Sequence, residues 1–496
     1  MAQTKRHVAV IGAGPAGAIT TDALVKEQAF ETIRVFERQE KIGGTWVFND
    51  DRPTPQSILL PIGGRSAPKA KNLPSSFPCE LPKSQDDVWE TAVHENLHSN
   101  LPPEIMCFTQ EPIPQVVSDR ILNHYGADAP FRHRELIREW IEKIFHSGGS
   151  EKLIEFNTSV ELAEKVGDQW ILTLRKSIRG ERKETWWQET FDALIVATGH
   201  YNLPWVPEIP GLADYNAKYP GRIRHTKHYT NPSDYKDKVG DWHVYFYLNF
   251  LESDTDERLA QRVVVVGGSV SAFDALHDVR TTSKRPVISS MRKPSAIFGA
   301  PPFKHPHIEN HSEIASFDAK TGRITFTDGG FVDDVDAVLF ATGYEFDFPF
   351  LPDINIVNRR IPGLYQHVFL SRDPSLAFVG MVTGGFGLRI FEWQGVTVAR
   401  VFAGRAKLPA EEEMERWENE RISAVGDGIP FWALNPDFET PFESYRALAG
   451  EPAPGTTGRI LPKYDPQWAE AFWGLVSYRT KWWEKEENEA KAVKSS

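Results

Sequence analysis

Two stretches of this chain follow one pattern: four consecutive apolar residues, an abrupt switch to small ones, then helical spacing. In "HVAVIGAGPAG" the run Val8 to Ile11 gives way to Gly12, Gly14 and Gly17, and "AITTDALVKE" continues as a helix. In "RVVVVGGSVSA" the run Val263 to Val266 gives way to Gly267, Ser269 and Ala272, and a helix runs on through "FDALHDVR". Short unbroken apolar runs of this kind read as strands buried on both faces of a parallel sheet. Each helix is followed by another predicted strand, Ile33 to Phe36 in the first case and Val287 to Met291 in the second. Two further apolar strands end alike, in "FDALIVATGH" and "VDAVLFATGY". Alternating, hairpin-like segments precede them: "QWILTLRKS" with "ETWWQETF", and "RITFTDGGFV". The pattern predicts an α/β protein with two Rossmann-like domains, the second inserted into the first. Residues 1–204 form the first part, 205–345 the insert and 346–496 the return, and the Pro- and Gly-rich "GHYNLPWVPEIPG" is the outgoing linker.

The small residues carry the candidate chemistry. At G-x-G-x-x-G spacing, Gly12 permits the tight turn, Gly14 lets backbone approach a pyrophosphate, and Gly17 lets helix and strand pack closely. Ala16 lies in the same loop, and the helix start offers unpaired N–H groups to phosphate. Glu37, at the end of the second strand, suits ribose hydroxyls and disfavours a 2′-phosphate, so this site calls for FAD or NAD. Arg38 follows it, and "KIGGTW" then brings Gly44, Thr45 and Trp46, a close-approach turn with a ring that can lie against a flat cofactor. The second loop replaces two glycines by Ser269 and Ala272, the next smallest choices, and adds Ser271. Its following strand ends in Arg292 and Lys293, where charge favours a 2′-phosphate. The second site is therefore expected to take NADPH. The Ala-Thr-Gly steps add Thr198 and Gly199 to the first site, and Thr342 and Gly343 to the second.

Composition narrows the field. A net charge of −12 with no basic stripe argues against nucleic acid or an anionic membrane as partner. Two cysteines, Cys79 and Cys107, form neither a disulfide framework nor a Cys-x-x-Cys pair. There is no cleavable leader pattern and no run of ~18 apolar residues, so a soluble, cytoplasmic protein is expected. His305, His307 and His311 cluster in "FKHPHIENHSE", but prolines break the spacing that zinc would need. Ser269 lacks the flanking glycines of a hydrolase elbow. "EEEMERWENE" reads as a solvated helix face, and the charged C-terminal "KWWEKEENEAKAVKSS" as a frayed helix.

One further segment resembles a known family. "YPGRIRHTKHY" sets Tyr219, Gly221, His225 and Tyr229 at the spacing F-x-G-x-x-x-H-x-x-x-(F/Y), similar to the identifying sequence of the flavin-containing monooxygenases, class B flavoprotein monooxygenases. Tyr219 departs from the usual Phe, and Tyr229 stands where Baeyer–Villiger relatives carry Trp. The resemblance covers most of the chain and is closest to yeast and fungal members. It implies that the histidine couples domain positions rather than acting as a base. It also implies that Asn100, in "NLHSNLPPEIM", is the catalytic residue beside the flavin. Arg132 and His133 in "PFRHRELIREW", and Gln394 in "FEWQGVTVARVFAG", are implied flavin contacts. "LYQHVFLSRDPSLAFVG" resembles the return strand into the FAD domain. The implied reaction uses FAD, NADPH and O2, passes through a C4a-hydroperoxyflavin, and delivers one oxygen to sulfur or nitrogen of a small molecule. Fungal secondary metabolism is one setting for it, and a homodimer one assembly. A Baeyer–Villiger-type enzyme and a flavin-dependent NADPH oxidase without oxygen transfer are the alternatives. The insert "DRPTPQSILLPIGGRSAPKAKNLPSSFP" is expected to form a loop over the active site.

Overall fold

The computed structural model describes residues 5–49, 62, 73–235 and 261–495. The insert expected to cover the active site lies outside the described residues, except for Ile62 and residues 73–78. The chain enters on β1 (His7–Ile11), turns through the glycine loop into α1 (Pro15–Glu27), and returns as β2 (Thr32–Phe36). After α2 (Arg134–Ser147) come β3 (Ile154–Glu155) and an antiparallel trio, β4 (Thr158–Val166), β5 (Gln169–Lys176) and β6 (Lys183–Phe191). Then β7 (Ala193–Val196) pairs in parallel with β1. The second unit holds β8 (Ile223–His225), β9 (Val263–Val266), α3 (Val270–Val279), β10 (Val287–Ser290), β11 (Ile308–His311) and β12 (Ala337–Phe340). The chain then adds β13 (Leu364–Tyr365), β14 (Phe369–Leu370) and β15 (Leu376–Phe378), followed by α4 (Arg389–Phe402) and the long α5 (Pro466–Ser495).

Two sheets organise these elements. The seven-stranded sheet runs β13-β14-β15-β7-β1-β2-β3, so it draws strands from both ends of the chain. The five-stranded sheet, β8-β12-β9-β10-β11, is parallel throughout and comes only from the middle. The expected hairpin in "RITFTDGGFV" forms, with Ile324 opposite Val332 in a separate three-stranded sheet.

Why the apolar runs are unbroken is visible in the packing. Successive side chains of a strand point to opposite faces, and both faces here are covered. Val8 and Val10 pack against Ile19 and Leu24 of α1 and Val396 of α4, while Ala9 and Ile11 pack against Leu172, Leu174 and Phe191 of the antiparallel sheet. The second unit repeats the arrangement. Val263 and Val265 meet Phe273 and Leu276 of α3, and Val264 meets Tyr215, Ile324 and Phe326 on the other side.

The C-terminal helix corrects an expectation. Its sequence is charged, yet it is a docked element rather than a frayed end. Phe472 and Leu475 belong to the core of the first unit, and Trp483 is buried in the core of the second, beside Phe273 and Phe303. Glu486 pairs with Arg280, and Arg479 with Asp274. Lys481, Glu484, Lys485 and Glu489 occupy the outer face, while the two tryptophans of "KWWEKE", with Arg479, supply the inner one. A second tie reaches α1 at Asp22. Arg459, 1% exposed, reaches Asp22 at 2.5 Å, Glu392 at 2.8 Å and Glu111 at 2.8 Å, joining α1, α4 and the tail.

Candidate functional site

The two small-residue loops are built alike, atom for atom. The N–H of Gly12 donates to the carbonyl of Phe36 at 2.8 Å, and that of Gly267 donates to the carbonyl of Ser290 at 2.9 Å. Ala197 donates to Ile11 at 2.9 Å, and Ala341 to Val266 at 2.8 Å. Gly12 and Gly267 both have positive φ, +106° and +143°. A Cβ on Gly12 would meet the Ala197 carbonyl oxygen at 2.7 Å, and one on Gly267 the Ala341 oxygen at 2.5 Å. The Ala-Thr-Gly steps are thus the backbone wall behind each loop, which is why the sequence repeats them.

In the first loop, a Cβ on Gly17 would meet the Gly12 carbonyl oxygen at 1.9 Å. This glycine faces away from the cavity and sets the distance between helix and strand, as its spacing predicted. A Cβ on Gly44 would meet the Gly14 Cα at 2.8 Å, so the two backbones nearly touch and leave open space above them. A phosphate can come down onto N–H groups there without meeting a side chain.

Both loops open into one cavity of about 2180 Å3. Pockets for single small ligands span about 300–1,000 Å3, so this one has room for two nucleotides and a substrate. The first unit contributes Gly12, Gly14, Ala16, Glu37, Arg38 and the Gly44–Thr45–Trp46 turn, with Thr198 and Gly199. The second contributes Gly267, Ser269, Ser271, Arg292 and Lys293, with Thr342 and Gly343. Asn100 stands on the wall; its exposed side chain makes no hydrogen bond among the described residues.

The electrostatics of the two halves differ. Glu37 is buried and its carboxylate accepts from the N–H of Ala13 at 2.7 Å and of Gln39 at 2.9 Å. Burial raises its pKa, and those backbone donors oppose the shift. Arg38 beside it lies over the Trp89 ring, 4.7 Å from the centroid, and burial lowers its pKa against the pull of Glu37. Arg292 and Lys293 are exposed and have no ion-pair partner among the described residues. Among those residues no cluster of His, Cys, Asp and Glu could hold a metal, and no helix is long and apolar enough to cross a membrane.

Three expected contacts need correcting: Arg132, His133 and Gln394 do not line the cavity; Gly17 does not line it either, in keeping with its packing between helix and strand. Arg132 is buried with its guanidinium bound to the carbonyls of Ala129 and Phe131 and to Gln115. His133 caps α2, accepting from Glu135 N–H through Nδ1, while Nε2 faces the Glu95 carbonyl. What this stretch does is hold the Asn100 loop from behind. Ser99 donates its N–H to the Arg132 carbonyl at 2.7 Å, its Oγ accepts from Arg132 N–H at 3.0 Å and donates to Leu101, and Arg134 N–H reaches the Leu97 carbonyl. Gln394 is fully buried on α4; it accepts from Gly380 N–H at 2.9 Å and donates to Tyr445, so it supports a wall residue rather than touching the cavity.

His225 is likewise structural. Its Nε2 donates to the Gly343 carbonyl at 3.0 Å and its Nδ1 accepts from Lys227 N–H at 3.0 Å. Burial pushes its pKa down to about 3, so it stays neutral. Tyr229 donates to Asp278 on α3 at 2.7 Å. Residues that sequence reasoning missed include His200 and Trp432 on the wall, Phe472 of α5, and the glycine-rich "TGGFG" at 383–387. The glycine run was a signal; the others carried none.

Comparison with known proteins gives the family of the chain. A model of the flavin-binding monooxygenase-like family matches residues 82–240 and 280–427. The flavin-containing monooxygenase FMO GS-OX1 of Arabidopsis thaliana is 30% identical over 415 residues, 82% of this chain and 76% of that protein. The flavin-containing monooxygenase ustF2 of Aspergillus flavus is 26% identical over 488 residues, 87% of this chain and 89% of that one. Among solved structures, the S-allyl-L-cysteine S-oxygenase from Allium sativum matches with a TM-score of 0.70 at 24% identity, covering 99% of this chain and 100% of that chain.

Proposed function

Because this chain belongs to the flavin-binding monooxygenase-like family, whose members use FAD and NADPH, we propose that it transfers one oxygen atom from O2 to a nucleophilic sulfur or nitrogen of a small molecule. The observation that carries this reading is the single cavity into which both small-residue loops open. In the proposal, FAD lies on the Gly12 loop and NADPH on the Gly267 loop, with 205–345 as the NADPH unit. FAD, when bound, would supply the redox chemistry, and the overall change would convert NADPH, H+, O2 and substrate into NADP+, water and oxygenated substrate.

The protein's own residues bind, orient and shield. The N–H groups at the start of α1 take the pyrophosphate, and Glu37 the ribose hydroxyls of the first nucleotide. Arg292 and Lys293 take the 2′-phosphate of the second. The side-chain amide of Asn100 is free to hydrogen-bond the reacting centre from a wall that excludes water through Leu101, Met106, Leu388 and Phe391. The reaction needs no protein nucleophile, and the neutral, fully bonded His225 supplies none. A soft sulfur centre is favoured by the S-oxygenase fold match.

Incubating the FAD-loaded protein with NADPH, O2 and a panel of thioethers, thiols and amines should yield products one oxygen atom heavier. Substituting both Arg292 and Lys293 by Ala should raise the KM for NADPH and leave that for NADH nearly unchanged. NADPH consumption that yields only hydrogen peroxide with every compound would instead identify an oxidase.

A further inference from the structure

We propose that Arg479, on the C-terminal helix, is a positioning residue for the nicotinamide nucleotide: it neutralises Asp274 on α3 so that the cavity can hold a polyanion there. The inference rests on the placement of NADPH at the Gly267 loop. Asp274 sits about one turn into α3, lines the cavity, and keeps about a third of its side chain accessible, 35%. A helix start attracts phosphate through its N–H groups and dipole, and a carboxylate in the same place works against that attraction.

Arg479 removes the conflict. Its Nη2 donates to Asp274 Oδ1 at 3.0 Å from a side chain only 10% exposed. The guanidinium lies over the Phe131 ring, 5.4 Å from the centroid, and Nη1 is buried without a hydrogen-bond partner. The helix has little freedom to withdraw it. Phe472, nearly two turns earlier, is in the cavity wall and the first core, and Trp483, one turn later, is in the second core. Tyr478 donates to the Tyr125 carbonyl at 2.7 Å.

The other titratable groups facing Asp274 do not substitute for Arg479. Asp278, one turn on, is engaged by Tyr229 and His277. His98 is kept neutral by burial, its imidazole bonded to Tyr125 and facing the Ser99 carbonyl. Tyr125, which burial keeps protonated, carries no positive charge, and Arg280, just past the end of α3, is taken by Glu486. Arg479 also lies beyond the residues matched by the family model, which end at 427.

A charge role and a mere anchoring role make opposite predictions for a double variant. NADP+ binding to the FAD-loaded protein is measured by calorimetric titration for the parent, Arg479→Met, Asp274→Asn and the double variant. Arg479→Met exposes an unpaired carboxylate to the nucleotide and should weaken NADP+ by about tenfold, less at high salt. Asp274→Asn should bind as well as the parent, and the double variant should return to within about twofold of Asp274→Asn, since the repulsion is gone. A double variant as weak as Arg479→Met would overturn the proposal, because only anchoring would then matter. Unchanged binding in Arg479→Met overturns it alone, whereas a parent that binds no NADP+ overturns it together with the placement of NADPH.

Discussion

Gly17→Ala tests the construction of the first nucleotide loop with one methyl group. The new Cβ would lie 1.9 Å from the Gly12 carbonyl oxygen and 2.9 Å from its carbon. A carbon–oxygen contact of this kind needs about 3.3 Å, so α1 and the loop must separate by roughly 1.4 Å. Neither side can yield cheaply. Gly12 is tied by its N–H to Phe36, and it is backed by the Ala197 carbonyl oxygen, which a Cβ on Gly12 would meet at 2.7 Å. The other face of α1 is packed against α4, where a Cβ on Gly395 would meet Thr20 Oγ1 at 2.9 Å. Overpacking against side chains costs about 1–3 kcal/mol, and backbone gives less, so about 3 kcal/mol is expected. That lowers the melting temperature of the apoprotein by about 3 °C, because a chain of 496 residues unfolds with an entropy of about 1 kcal/mol/K, and the displaced helix start loses FAD. Gly14→Ala is the contrast, because its Cβ would stand 3.4 Å from Gly44 Cα, a contact that small shifts relieve. It should keep nearly the parental melting temperature while losing FAD, because the methyl group occupies the approach of the phosphate. Thermal unfolding of the apoproteins and flavin absorbance after reconstitution measure the two effects separately. Parental stability in Gly17→Ala, or equal destabilisation in both variants, would refute the reasoning.

Arg459→Met should cost about 3 kcal/mol in urea unfolding, because it removes the cation from the fully buried Glu392 carboxylate, while Asp22 keeps Lys26 at 2.9 Å; a loss below about 1 kcal/mol would mean that the network is not a tie. Asn100→Ala should leave FAD bound and reduction by NADPH intact but release hydrogen peroxide in place of product, a loss equivalent to about 2–4 kcal/mol of stabilisation. Unchanged product per NADPH would make Asn100 structural. Burial depresses the pKa of His200 to about 4 and that of His225 to about 3. In the unfolded chain both titrate near about 6.5, so the unfolded state takes up protons first. Their contribution is therefore complete above about pH 6.5 and is lost as pH falls toward the folded values, by up to about 1.4 kcal/mol per pH unit for each histidine. Urea midpoints should be lower at about pH 5 than at about pH 7, and a flat profile would contradict the burial of the two neutral imidazoles.

The amino-acid order alone determined the two α/β nucleotide units and most of their loops. Gly12, Gly14, Gly17 and Glu37 lie within one strand–helix–strand segment, as do Gly267, Ser269, Arg292 and Lys293. Such a unit folds by local pairing, so its chemistry is written at fixed short spacing. The Ala-Thr-Gly steps were legible for a related reason: each follows the strand that pairs in parallel with the strand leading into its loop, and the alanine carbonyl needs a glycine opposite. Roles that depend on which way a side chain turns in a packed core were decided only by tertiary structure. Arg132, His133 and Gln394 look like ligand contacts in sequence, yet their neighbours are backbone carbonyls, an N–H group and Tyr445. The charged C-terminal helix looked frayed in sequence because its apolar face is short and is completed only by two cores that no local pattern reveals. The same holds for Asp274 and Arg479, which are 205 residues apart in the chain. Over that distance nothing but the shape of the assembled units brings two charges together, so only the fold could pair them.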